Sequence, residues 1–98
     1  MAKLIWTEPA LHQLDEVAGY IALDKPEAAR AMVQKVFELC AQLKKISALG
    51  KRFPEISHPN YRRIWVKPVW IYYRMESRRI YIPHIRRAEK RFDLDDII

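Results

Sequence analysis

The sequence predicts an α+β fold in which an N-terminal helical hairpin packs on one face of a small, twisted, mostly antiparallel sheet, in the order strand, helix, helix, strand, strand, strand. Three observations predict it. Apolar residues recur at three- and four-residue intervals as far as Ile46, and the period drops to two after Gly50. The two helical stretches are joined by only two to three residues, which forces them to pack as an antiparallel pair.

Lys3-Leu4-Ile5-Trp6-Thr7 is a short β-prone run that stops at a helix start signal, and it reads as the first strand. Thr7 is the expected N-cap. Glu8 and Pro9 suit a first helical turn, where a missing amide donor costs nothing and a carboxylate complements the dipole. Leu11, Leu14, Ala18 and Ile21, widened by Val17, give a helix over 8–22. Asp24-Lys25-Pro26-Glu27 reads as a capping box opening a second helix over 25–46. Its apolar stripe is Ala29, Val33, Val36, Cys40 and Leu43, flanked by Met32, Leu39 and Ile46.

In the strand expected over 62–67, Ile64 and Val66 point one way while Arg63, Trp65 and Lys67 point the other. Pro68 marks a turn. The next strand, over 69–75, alternates Val69, Ile71 and Tyr73 with Trp70, Tyr72 and Arg74. After a turn at Glu76-Ser77-Arg78 comes a strand over 79–85, in which Pro83 removes a ladder donor and marks a bulge, a strand end or an exposed edge. The hairpin covers one sheet face, and nothing remains to cover the other. On that open face Arg63, Trp65, Lys67, Trp70, Tyr72 and Arg74 mix cations with flat rings. Such a surface suits phosphates and stacked bases, or an acidic amphipathic peptide held by cation–π and apolar contact. Packing aromatics beside solvated arginines is the plainer alternative.

The 98 residues make one domain, 1–98, with a net charge of +6. Residues 1–49 are neutral, residues 50–91 carry +9, and residues 92–98 return three negative charges, so acidic partners are expected. Cys40 is the single cysteine, which excludes an internal disulfide. No Cys/His pair has ligand spacing, so neither a metal nor a cofactor is expected. No apolar run approaches the ~18–20 residues of a membrane span, and the opening residues meet Glu8 too soon for a secretory leader. The expected location is the cytoplasm, with no membrane partner.

Several motifs appear in a telling order: Ile5-Trp6-Thr7-Glu8-Pro9-Ala10 leading into Leu14-Asp15-Glu16-Val17-Ala18-Gly19-Tyr20-Ile21, then Pro26-Glu27-Ala28-Ala29 and Gly50-Lys51-Arg52-Phe53-Pro54-Glu55. Tyr61-Arg62, Tyr72-Tyr73-Arg74 and Ile85-Arg86-Arg87-Ala88-Glu89 follow. Together they resemble the RelE/ParE superfamily of toxins from type II toxin–antitoxin modules. The resemblance implies a toxin serving plasmid or locus stabilisation, held in a hetero-oligomer by a cognate antitoxin with an acidic segment. The charge balance fits that partner and fits a nucleic acid equally well.

The superfamily carries two activities on one fold. RelE-like members cleave messenger RNA on the ribosome, whereas ParE-like members inhibit DNA gyrase. RNA cleavage by 2′-OH attack without a metal needs a base, cations and an acid, and the sequence offers Glu55 as candidate base, Arg62, Arg74 and Arg86 as electrostatic clamp and His84 as acid. RelE-like nucleases carry an arginine entering the third strand, and Trp70 stands in that place here. An indole stacks on a base but does not stabilise a phosphorane. This departure, with the Arg86-Arg87-Ala88-Glu89 pattern, puts the resemblance closer to the ParE-like branch, a gyrase-directed toxin with no hydrolytic site. Its expected partner- or target-binding residues are Arg52, Arg62, Arg63, Trp65, Trp70, Tyr72, Arg74, Arg86 and Arg87. A ribosome-dependent messenger RNA endonuclease is the alternative, and a purely binding member acting through its antitoxin complex is a third.

Overall fold

The computed structural model describes residues 2–52 and 60–88, with the elements in the expected order. They are β1 (Lys3–Trp6), α1 (Glu8–Ala22), α2 (Pro26–Gln42), β2 (Tyr61–Val66), β3 (Val69–Glu76) and β4 (Arg79–Arg87). The sheet runs β1-β4-β3-β2, with β1 parallel to β4 and the other neighbours antiparallel. A parallel pair needs a long connection, and here it passes through the helical hairpin, β2 and β3. Both helices contribute to a single core against Ile64, Val66, Val69, Ile71, Tyr73, Ile80, Ile82 and Ile85, leaving the opposite sheet face clear of any described element.

Thr7 serves strand and helix with one hydroxyl. It accepts from the Ala10 amide at 3.3 Å, capping α1, and donates to the Ile82 carbonyl at 2.7 Å, tying the helix start to β4. The apolar stripe of α1 differs from the expected one only at its start: Ala10 is buried and Leu11 is 41% exposed, whereas Leu14 is buried and Val17, Ala18 and Ile21 pack against the core.

The expected capping box does not form. Lys25 is the N-cap of α2 and no side chain bonds there, because the amides of Asp24 and Lys25 both donate to the Ile21 carbonyl, at 3.1 and 2.8 Å. Those bonds wind Asp24 into the end of α1 instead of leaving it poised before α2. The second helix ends at Gln42, short of the expected 46, and tight turns over 43–46 leave Ile46 54% exposed. Cys40 lies fully buried in this helix, and burial pushes its thiol pKa up to about 12, so it is unreactive.

Pro83 marks a bulge. Tyr72 pairs with His84 and Arg74 with Tyr81, so one β3 residue faces two in β4, in the middle of the sheet. Gln13 of α1 accepts the Ile85 amide at 2.7 Å beside it. The extra residue shifts the phase of β4, which is how Ile80, Ile82 and Ile85 all reach the core. No described helix is long and apolar enough to cross a membrane.

Candidate functional site

The pleat sorts the side chains of β2, β3 and β4 into two sets. On the open face the strand registers align three rows: Tyr61, Arg74 and Tyr81; Arg63, Tyr72 and His84; Trp65, Trp70 and Arg86. Every row combines rings with a cationic or titratable group. The Arg63 guanidinium lies 3.8 Å over the Trp70 ring, and Trp70 meets Trp65 at 4.9 Å and 51°. Arg74 sits 4.8 Å over Tyr81 and 5.9 Å over Tyr61, and its Nη1 donates to the Tyr61 hydroxyl at 3.3 Å. Its Nε is 3.0 Å from Glu76 Oε2, an ion pair without hydrogen-bond alignment.

This layering decides what the face offers. Guanidinium groups cap Trp70 and Tyr81, and Tyr72 is only 9% exposed, whereas Trp65 at 45% is the large exposed ring. Positive charge is held on top of aromatic supports, so carboxylate or phosphate oxygens meet it before any base can stack. Guanidiniums already fixed on rings also lose less freedom when they bind. His84 lies in this layer, 5.5 Å from the Tyr72 ring. Burial first, and the neighbouring Arg86 second, hold its pKa below the usual 6.5. That shift disfavours the protonated imidazole a general acid would need.

The helix-side face uses similar residues to close the fold. Tyr73 is fully buried; its hydroxyl accepts from the Gly50 amide at 2.7 Å and donates to the Ser47 carbonyl at 2.8 Å. Arg62 Nη1 donates to the Gly50 carbonyl at 2.8 Å. Burial raises the Tyr73 pKa against the opposing effects of the Gly50 amide and Arg62.

Of the residues singled out from sequence, Arg63, Trp65, Trp70, Tyr72, Arg74, His84 and Arg86 come together on the open face. Arg62 pairs with Tyr73 on the other face, so the implied clamp of Arg62, Arg74 and Arg86 is not assembled on one surface. Arg52 is exposed beside the β2 edge, and Arg87 reaches back 4.6 Å over the Tyr20 ring of α1. Lys67 falls in the turn after β2. Glu55 and residues 92–98 lie outside the described residues. Tyr61 stands in a motif of the sequence but not among the expected site residues, and for the tie of Gly50 to Tyr73 the available signal is a glycine where the period changes.

Residues 4–92 match the family model described as "ParE toxin of type II toxin-antitoxin system, parDE". The fold is similar to that of a solved chain from the "Chromosomal ParDE TA system from P. aeruginosa", with a TM-score of 0.74 and 27% identity. That similarity covers 91% of this chain and 98% of the other. No curated protein matches the sequence. The motif order, the two-helix-on-sheet architecture and a family match across almost the whole chain converge: the chain belongs to the ParE toxin family of type II toxin–antitoxin systems.

Proposed function

We propose that this toxin has no hydrolytic site and acts in the cytoplasm by inhibiting DNA gyrase, with the open sheet face as its working surface. The acidic segment of its ParD antitoxin neutralises it by covering that face. One observation carries the reading: the face holds guanidiniums pinned on rings, while the groups a nuclease would need are divided. Arg62 is bonded to Gly50 on the far side, Trp70 stands where a phosphate-binding cation is required, and His84 disfavours its proton. A binding surface needs only the pinned charges.

The test compares two assays on antitoxin-free protein. Supercoiling by purified gyrase is expected to be blocked, and messenger RNA on programmed ribosomes to stay intact. Site-specific RNA cuts that disappear in His84→Ala or Glu55→Ala would overturn the proposal.

A further inference from the structure

The sheet gathers Lys3, from the start of the chain, beside Arg78 and Arg79. Lys3 of β1 and Arg79 of β4 are register partners, and Arg79 also pairs with Glu76 of β3 across the tight turn at Ser77-Arg78. The Lys3 amide donates to the Arg78 carbonyl at 2.8 Å, which ties the start of β1 to that turn. Because Ile80 is buried on the helix side, the pleat sets Arg79 and Tyr81 on the open face, with Lys3 next to Arg79. Together with Glu76, Ser77 and Arg78 they line an open hollow of about 640 Å³ at this corner of the sheet.

Among the described residues the side chains of Lys3, Arg78 and Arg79 are exposed and make no ion pair or hydrogen bond. Glu76, the acidic residue lining the hollow, is 3.0 Å from the Arg74 Nε and so is already matched. Arg74 in turn lies 4.8 Å over the Tyr81 ring and covers it, whereas the far end of the face exposes Trp65. Affinity for a protein partner comes mostly from buried aromatic and apolar anchors, and an unstacked base needs a ring to stack on. A phosphate backbone needs neither. Cations and donors suffice for it, and the Ser77 hydroxyl adds a donor.

We propose that Lys3, Arg78 and Arg79 form a binding site for the phosphate backbone of duplex DNA, with which the toxin grips the DNA that gyrase is handling. The site stands on its own geometry, and its use against gyrase rests on the reading given above. A duplex is the backbone that fits best, since it carries one charge per ~1.7 Å of helix axis and clustered cations gain most where phosphates are densest. Exposed and unbonded, the three side chains can be replaced without touching the core.

Fluorescence anisotropy of a labelled duplex of about 20 base pairs, titrated with antitoxin-free full chain over a salt series, reads the site. Each cation that neutralises a phosphate contributes about 0.9 to the slope of log K against log salt. The combined variant Lys3→Gln, Arg78→Gln and Arg79→Gln is therefore expected to flatten that slope by about 2.7 and to weaken binding about tenfold at low salt. A control with Arg30→Gln, Lys35→Gln and Lys45→Gln removes the same net charge from exposed positions in α2 and just beyond it. Its slope is expected to change by less than about one. A duplex that does not bind, or equal flattening in both variants, overturns the site. Tighter binding of a single-stranded RNA of equal length, or of a short peptide of Asp and Ala, overturns the assignment to DNA. In a supercoiling assay the Lys3, Arg78 and Arg79 variant is expected to need about fivefold more protein than wild type for half inhibition, and equal potency would overturn the use against gyrase. Wild type that binds the duplex through this corner yet leaves gyrase active overturns the gyrase reading and leaves the DNA site standing.

Discussion

Arg62 and Arg63 are neighbours in the chain, as are Tyr72 and Tyr73, and the pleat sends one member of each pair to either face of the sheet. Arg62 pairs with Tyr73 on the helix side, and Arg63 pairs with Tyr72 on the open side. The inner pair is consumed by the fold: both side chains bond to the backbone of the segment that leaves α2. The outer pair belongs to a layer where guanidinium rests on indole. Strand phase, not residue type, therefore separates an arginine bonded within the fold from one placed on the open face. Substitutions on the inner face should cost stability, and those on the outer face should cost binding.

The sharpest way to break that division is Gly50→Ala. A β-carbon there would lie 2.6 Å from Tyr73 Cε1, and 2.7 Å from both the Tyr73 hydroxyl and the Arg63 carbonyl. The ring is fully buried and the carbonyl is bridged to Lys51, so neither can yield cheaply. A loss of about 3 kcal/mol is expected, read as a lower denaturation midpoint at constant slope. An unchanged midpoint would mean the inner tie is loose. Tyr73→Phe keeps the ring but strips the Gly50 amide and the Ser47 carbonyl of their partner, and about 2 kcal/mol is expected by the same measurement.

The outer face calls for the opposite signature. Reversing Arg63 and Arg74 to Glu should weaken antitoxin binding about tenfold at low salt, or about 1.4 kcal/mol, and flatten its dependence on ionic strength. Arg74 already has Glu76 at 3.0 Å, which offsets part of its charge before any partner arrives. Affinity that is unchanged across a salt series would remove the electrostatic role assigned to this layer.

Much of this arrangement could be read from the chain. Ile64 and Val66 set the phase of β2, and by parity they also place Arg62 inside. Grouping Arg62 with Arg74 and Arg86 by charge alone ignores the pleat. Period locates every element, and the Thr7 cap fixes the start of α1, which falls on 8–22 as expected. Strand order was not legible, since the parallel pairing of β1 with β4 depends on how the hairpin packs and not on anything local to Lys3–Trp6. Pro83 signalled an irregularity, but only the offset between Tyr72 and Arg74 makes it a bulge. The tie from Gly50 to Tyr73 spans 23 residues, beyond the reach of periodicity. The capping of Trp70 by Arg63 depends on side-chain direction, which a pattern of alternation does not carry.

The smallest expected effect is that of a proton added to the open face. His84 is faced by the Tyr72 ring and lies two positions from Arg86, and burial together with that cation holds its pKa below 6.5. The folded chain then binds this proton less readily than the unfolded chain does, so stability rises with pH. The contribution is full above about 6.5 and is lost as pH falls through the lower folded value. Because other groups cancel in the difference, the comparison is between wild type and His84→Asn. Their denaturation midpoints should differ by a constant amount above pH 7.5, with wild type losing ground steadily toward pH 5. Arg86→Gln should shrink that drift without abolishing it, since burial is the larger cause. A drift of the opposite sign would mean that a carboxylate dominates the surroundings of His84, and the open face could not then be the positive surface that an acidic segment seeks.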